Sequence, residues 1–186
     1  IRPTVLLMGA DERLSRFFHH TPSDNKLDRF AFVNVCARKW GLVMSVGRYV
    51  HFGPPPQDLR NRMRASAEIS ARLQAHSRPG VKAADLFEMA QKWYAEQGFE
   101  HGWKPIHMGG AIGYAESEWV AYPGSPETIH ERQAFAWNPF VRGTLSFDTI
   151  IVYSDRTENI SSTPDWPIME VTVHGKQYRM PDILVR

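Results

Sequence analysis

The chain reads as one α+β domain, a curved antiparallel sheet backed by two helices. Three observations carry that reading: β-like alternation opens the sequence, two helical periods occupy its middle, and short β-like runs fill the remainder. No repeat or low-complexity tract divides the 186 residues, a length that suits a single domain. An apolar content of 42% supplies a core and excludes a disordered chain.

The elements follow in order. Pro3-Thr4-Val5-Leu6-Leu7-Met8-Gly9 is a short apolar run closed by glycine, as in a buried strand. Residues 11–28 are polar, and His19-His20-Thr21-Pro22-Ser23-Asp24 at their centre predicts a loop. Residues 30–36 and 41–51 are β-like and predict a hairpin that turns at Ala37-Arg38-Lys39-Trp40. Pro54, Pro55 and Pro56 stop the second strand. Leu59, Met63, Ala67 and Leu73 share one helical face over residues 57–76. Leu86, Phe87, Ala90, Trp93 and Tyr94 do so over residues 83–97, and Gly98 supplies the stop. Strands are then predicted at 105–113, 118–122, 134–137, 145–153, 168–173 and 177–180.

Composition and motifs exclude several functions. Lys and Arg number 22 against 20 Asp and Glu, a net +2 with no basic stripe, which argues against nucleic acid as a partner. No apolar run approaches the roughly 18–20 residues of a membrane span, and no secretory leader opens the chain. Cys36 is the single cysteine, so neither a disulfide framework nor a cysteine-rich zinc site is expected, and a reduced, cytoplasmic compartment is. Cys36 sits in an apolar strand with no adjacent base and reads as an inert thiol. No helical His pair forms a metal motif, and His19 and His20 would point to opposite faces of a strand. No Gly-x-Ser-x-Gly elbow is present. Gly109-Gly110-Ala111-Ile112-Gly113 lacks the Lys-Ser/Thr of a phosphate loop, and glycines within a strand mark close approach of a backbone or ligand. His107 stands beside that opening. Asn34, Ser45 and Asn138 interrupt apolar strands; either they satisfy one another or they line a cavity.

Taken in order, these segments resemble the creatinase/prolidase/methionine aminopeptidase superfamily, the pita-bread fold. Phe32-Val33-Asn34-Val35-Cys36-Ala37-Arg38 with Ser45-Val46-Gly47-Arg48 is similar to its first metal-binding hairpin. Arg78-Pro79-Gly80-Val81 is similar to its helix entry, and Gly109-Gly110-Ala111-Ile112-Gly113 to its Gly-His-Gly-Ile-Gly strand. Ala136-Trp137-Asn138-Pro139 resembles its Ile-Glu-Pro-Gly turn, and Phe147-Asp148-Thr149-Ile150 its Glu-Asp-Thr strand. The resemblance covers residues 3–153 and leaves 154–186 as a C-terminal strand appendage of one domain, 1–186. It also implies that an N-terminal part of the fold is missing, and the start at Ile1 suggests a piece of something longer.

Peptidases of that family hold two metal ions with carboxylates and a histidine. At the matching positions this chain carries Asn34, Ser45, Gly110, Asn138 and Phe147, so the resemblance implies no metal and no cofactor. Creatinase shares the fold and uses a histidine on a guanidino compound. By that resemblance His19 is the expected general base, with His107 and Glu118 as further catalytic residues; Ser117 replaces a family histidine. Asn34, Ser45, Asn138 and Asp148 are expected to bind substrate, and Arg48 to form an ion pair. The implied function is an Xaa-Pro peptidase/creatinase-like, metal-independent hydrolysis of a C–N bond in a small amide, guanidino or peptide-like substrate. The alternatives are a silent pseudo-peptidase that binds a peptide or protein, and a structural half of a two-chain assembly. A homodimer is implied by the family.

Overall fold

Alternation of buried and more exposed residues builds the first layer of the computed structural model, which describes residues 1–21 and 23–186; Leu6, Met8, Leu42 and Met44 face outward, so the opening run is not a buried strand. Pro22, within the predicted loop, lies outside the described residues. β1 (Arg2–Ala10) leads through the short turn of helix α1 (Arg13–Arg16) and a loop to β2 (Phe30–Lys39) and β3 (Leu42–His51). The three strands are antiparallel neighbours, with Phe30, Phe32, Cys36 and Tyr49 buried on one side. The β2–β3 turn is shorter than predicted. It consists of Trp40 and Gly41, both at positive φ (53° and 86°), a left-handed pair that continues the strand twist in a two-residue hairpin.

Helix α2 (Gln57–His76) begins directly after the three prolines and buries Leu59, Met63, Ile69 and Leu73. Helix α3 (Ala83–Glu96) follows the turn at Pro79-Gly80 and packs Leu86, Ala90 and Tyr94 into one core with Ile69 and Leu73. A fully buried Leu or Ile contributes about 1.5–3 kcal/mol, so this apolar face holds both helices to the strands behind them.

Those strands are β4 (Gly109–Ile112), β5 (Trp119–Val120) and β6 (Ala134–Trp137), followed by the small hairpin β7 (Phe140–Val141) and β8 (Thr144–Leu145). β9 (Asp148–Val152) and β10 (Thr157–Asn159) complete a five-stranded sheet in the order β10-β9-β6-β4-β5. The run predicted as one strand over 145–153 is broken, because Ser146 and Phe147 pass from the small hairpin into the larger sheet. The Trp137 indole donates to Ser77 Oγ at 2.9 Å and ties this sheet to the end of α2.

The antiparallel layer is thus hydrogen-bonded as two sheets, and β3 sews them together. Gly47 N–H donates to the Phe147 carbonyl at 2.9 Å and Val43 N–H to the Gly113 carbonyl at 2.7 Å. Ser45 N–H donates to Thr149 Oγ1, which donates back to the Ser45 carbonyl, both at 2.8 Å. Residues 154–186 extend this frame. β11 (Ile168–Val173) and β12 (Lys176–Pro181) form a hairpin whose Val171, Val173 and Met180 pack on Ala67 and Ala71 of α2, and β13 (Leu184–Val185) pairs in parallel with β3. No helix of the described residues is long and apolar enough to cross a membrane.

Candidate functional site

A pocket of about 170 Å³ opens at the seam between the sheets. Val5 and Leu7 of β1, Asn34 and Cys36 of β2, and Ser45 of β3 form one wall. Gly109, Gly110 and Ile112 of β4, with Ala136, Asn138 and Phe147, form the other, and His19, His107, Glu116, Ser117 and Val120 complete the lining. Of the residues expected at the site, the structure brings His19, His107, Asn34, Ser45 and Asn138 together here.

Asn34 and Asn138 reach the pocket from different sheets, and the side-chain oxygen of each is buried without a hydrogen-bond partner. A buried carbonyl left unpaired costs about 1–3 kcal/mol, so each amide oxygen is an unsatisfied acceptor within the pocket wall. Ser45 is turned away from that role. Its hydroxyl donates to Cys36 Sγ at 3.1 Å, across the register pair that sets the two residues opposite each other. Burial pushes the Cys36 thiol up, the Ser45 contact only partly opposing it, so Cys36 stays protonated.

β4 approaches its neighbours too closely for side chains. A Cβ on Gly109, whose φ is +93°, would stand 2.1 Å from the Ala136 carbonyl oxygen, and one on Gly110 would stand 2.1 Å from that of Trp119. Just before β4, the Gly109 N–H donates to His107 Nδ1 at 3.1 Å. The neutral His107 ring therefore carries its proton on Nε2 and offers a donor rather than a lone pair. His107 stays open to solvent, yet the protein packed around it lowers its pKa, with the His19 charge adding to the effect.

His19 is exposed at the rim, on a loop closed at its base by Asp11, whose carboxylate accepts the N–H groups of Asp28, Arg29 and Phe30 at 2.8, 2.9 and 2.8 Å. The adjacent His20 is turned inward. It is 5% exposed beside Phe32, and burial, then the Arg13 and His19 charges, lower its pKa.

Two expected residues lie elsewhere. Glu118 is exposed, and its Oε1 accepts the N–H groups of Tyr114 and Ala115 at 2.7 and 3.2 Å, pinning the loop between β4 and β5. Glu116 lines the pocket instead, and the Thr4 hydroxyl is the main group holding its carboxyl below the usual range. Asp148 Oδ1 accepts from Arg48 Nη2 at 2.8 Å and from Ser161 Oγ at 2.7 Å, beside a separate cavity of about 490 Å³. Glu116 escaped the reading of the sequence as a pocket residue, whereas Ser117, at the position of a family histidine, lines the pocket; the signal for Glu116 was the glycine-ended strand before its loop.

Asn34, Ser45, Gly110, Asn138 and Phe147, the five positions that the resemblance places at metal ligands, all line this one pocket. Their groups are two neutral amides, a hydroxyl already donating to sulfur, a hydrogen atom and a benzyl ring. That set does not fit a pair of hard divalent ions, which require carboxylate oxygens or imidazoles. Among the described residues no three or more His, Cys, Asp or Glu side chains converge elsewhere into such a group.

Two sheets sewn along one strand, helices behind them and a pocket at the seam define a pita-bread domain. Residues 4–160 match metallopeptidase family M24, and the chain belongs to that family. A dipeptidase from Mycobacterium ulcerans superposes with a TM-score of 0.78 at 18% identity, over 98% of this chain and 47% of its own. The X-Pro aminopeptidase of Thermotoga maritima does so with 0.79 at 16% identity, over 97% and 49%. The N-terminal domain of a FACT complex subunit from Eremothecium gossypii superposes with 0.72 at 11% identity, over 86% and 40%. The chain therefore spans about half the length of the peptidases it matches. Comparison with curated protein sequences finds no significant match.

Proposed function

We propose that this pocket hydrolyses a C–N bond of a small amide, guanidino or peptide-like substrate without a metal ion. The observation that carries the reading is the meeting of His19 and His107 with two unpartnered amide oxygens, those of Asn34 and Asn138, in one pocket. The two oxygens accept N–H groups of the substrate and so hold the nitrogen side of the scissile bond. His19 takes a proton from water as its oxygen attacks the central carbon. The displaced electron pair moves to the carbonyl oxygen or imino nitrogen, toward which His107 Nε2–H donates. Collapse expels the nitrogen, and the His19 imidazolium returns the proton to it. Glu116 at the rim adds negative charge that favours a cationic substrate.

A binding-only role is the second reading, favoured by Phe147, whose buried ring occupies pocket wall where the family resemblance implies a ligand. The fold also occurs in a subunit of the FACT complex. Cytoplasmic location, from the lone thiol Cys36, and a homodimer, from the family, belong to the same proposal.

The test is turnover of Xaa-Pro dipeptides and of small guanidino and amide compounds with and without chelator, alongside elemental analysis of the purified protein. The reading expects cleavage that survives chelation and falls by about 10²-fold or more in His19→Ala, the range for loss of a general base. Cleavage abolished by chelation and restored by manganese, cobalt or zinc would overturn it. Substrate-analogue binding that weakens in Asn138→Leu, with no turnover of any compound, selects the second reading.

A further inference from the structure

We propose that His76 and His174, remote in sequence from the pocket, form a two-imidazole site for a divalent transition-metal ion of borderline softness, with Zn²⁺ as the type. His76 is the last residue of α2, and His174 stands in the turn between β11 and β12 at φ +50°. Their Nε2 atoms are 3.3 Å apart and their ring centroids 5.1 Å apart. Two imidazoles on one tetrahedral ion, each at the usual zinc–nitrogen length, set their nitrogens about 3.3–3.4 Å apart and their centroids about 5.1 Å apart. The rings thus already hold the spacing that the ion requires.

The tautomer is also prepared. His76 Nδ1 lies 2.8 Å from the Arg72 carbonyl, which can only accept, so Nδ1 carries the hydrogen and the Nε2 lone pair is free. A ligating histidine whose other nitrogen donates to a backbone carbonyl is the usual outer arrangement of a metal site, and the Trp93 ring, with its centroid 4.9 Å away, packs against His76. In the metal-free protein His174 Nε2–H donates to His76 Nε2. On binding, that proton moves to the solvent-exposed His174 Nδ1, both Nε2 lone pairs face the ion, and water completes the coordination. The carbonyl end of the 20-residue α2 favours positive charge at this position. An ion here would clamp the β11–β12 hairpin to α2, adding to the contact of Val171, Val173 and Met180 with Ala67 and Ala71.

The test is zinc titration of the purified protein by calorimetry, with melting followed in parallel. One ion per chain is expected, with melting raised by roughly 5–10 °C at a hundredfold excess over the dissociation constant. His174→Gln, at an exposed turn, should weaken binding about tenfold or more and erase the shift, and His76→Gln should do the same. A His19→Gln/His107→Gln double variant should titrate like the parent, which separates this site from the pocket. Unchanged binding in His174→Gln, absence of binding at millimolar zinc, or loss confined to the His19/His107 variant would each overturn the proposal.

Discussion

The ion pair at the seam between the sheets gives the sharpest test of how the fold is held. Arg48 Nη2 and Asp148 Oδ1 are 2.8 Å apart, with side chains 12% and 1% exposed. The partners are unequally supported. Arg48 also donates to the carbonyls of Gly47 and Ser161, at 2.7 and 3.0 Å, and to Thr163 Oγ1 at 3.0 Å. Beyond Arg48, Asp148 has only the Ser161 hydroxyl, and its Oδ2 is buried without a partner. Arg48→Met therefore strands a buried carboxylate and should destabilise by about 3–5 kcal/mol. Asp148→Asn keeps shape and an acceptor, leaves the guanidinium its other partners, and should cost about 1–2 kcal/mol. Urea titration of both single variants and the double supplies the cycle. The double variant should lose less than the sum, because it leaves no unpaired charge. In thermal melts Arg48→Met should fall by roughly 6–20 °C. A loss in Arg48→Met no larger than in Asp148→Asn would refute the reasoning, since stranding the buried carboxylate would not then be the larger cost.

Three further outcomes follow from other parts of the molecule. His20 is buried with neither ring nitrogen partnered and its pKa lowered, so the unfolded chain binds the proton first as pH falls. Stability should hold above the unfolded value near 6.5 and decline below it by at most about 1.4 kcal/mol per pH unit, until the lowered folded pKa is passed; His20→Phe should flatten a urea-midpoint series from pH 7.5 to 5, and an unchanged slope would count against it. Ser77→Ala removes the acceptor of the Trp137 indole and should cost about 1–3 kcal/mol in chemical denaturation, whereas a neutral result would mean that the indole finds another partner. Gly110→His should separate β5 from β4, because even its Cβ meets the Trp119 carbonyl at 2.1 Å; faster exchange of the Glu118 and Ala121 amides, which donate to the Ala111 and Gly109 carbonyls, would report it, and unchanged protection would show that the strands yield.

Periodicity made the helices legible. α2 spans the predicted residues, and α3 ends one residue short of them, since an apolar face repeating over four to five turns has few alternative structures. The hairpin was equally visible but its turn was displaced, because alternation continues through Ala37, Arg38 and Lys39 and only the backbone of Trp40 and Gly41 reveals the reversal. At the site, the family resemblance gathered Asn34, Ser45 and Asn138, which the residues alone left as either mutual partners or cavity lining. It failed for Asp148, which follows Phe147 directly. Adjacent strand residues point to opposite faces, so a pocket that takes Phe147 turns Asp148 to the cavity behind it. Glu118 was lost for another reason, since no pattern of residue types distinguishes a carboxylate facing a pocket from one accepting the amides of its own loop.

The chemistry of the pocket and its packing point the same way. Carboxylates at Asn34, Ser45, Asn138 and Phe147 would supply charge without completing a ligand set, because position 110 has no room for a side chain. Gly110 has the Trp119 backbone where a side chain would start, and Ser45 is held on both sides by Thr149 and Cys36. The groups at these positions are neutral, and four buried carboxylates without metal would repel one another where desolvation is already unfavourable. The amide oxygens of Asn34 and Asn138 then make chemical sense as acceptors that need no counter-ion. They leave these positions polar yet uncharged, so the empty pocket buries no unpaired charge there.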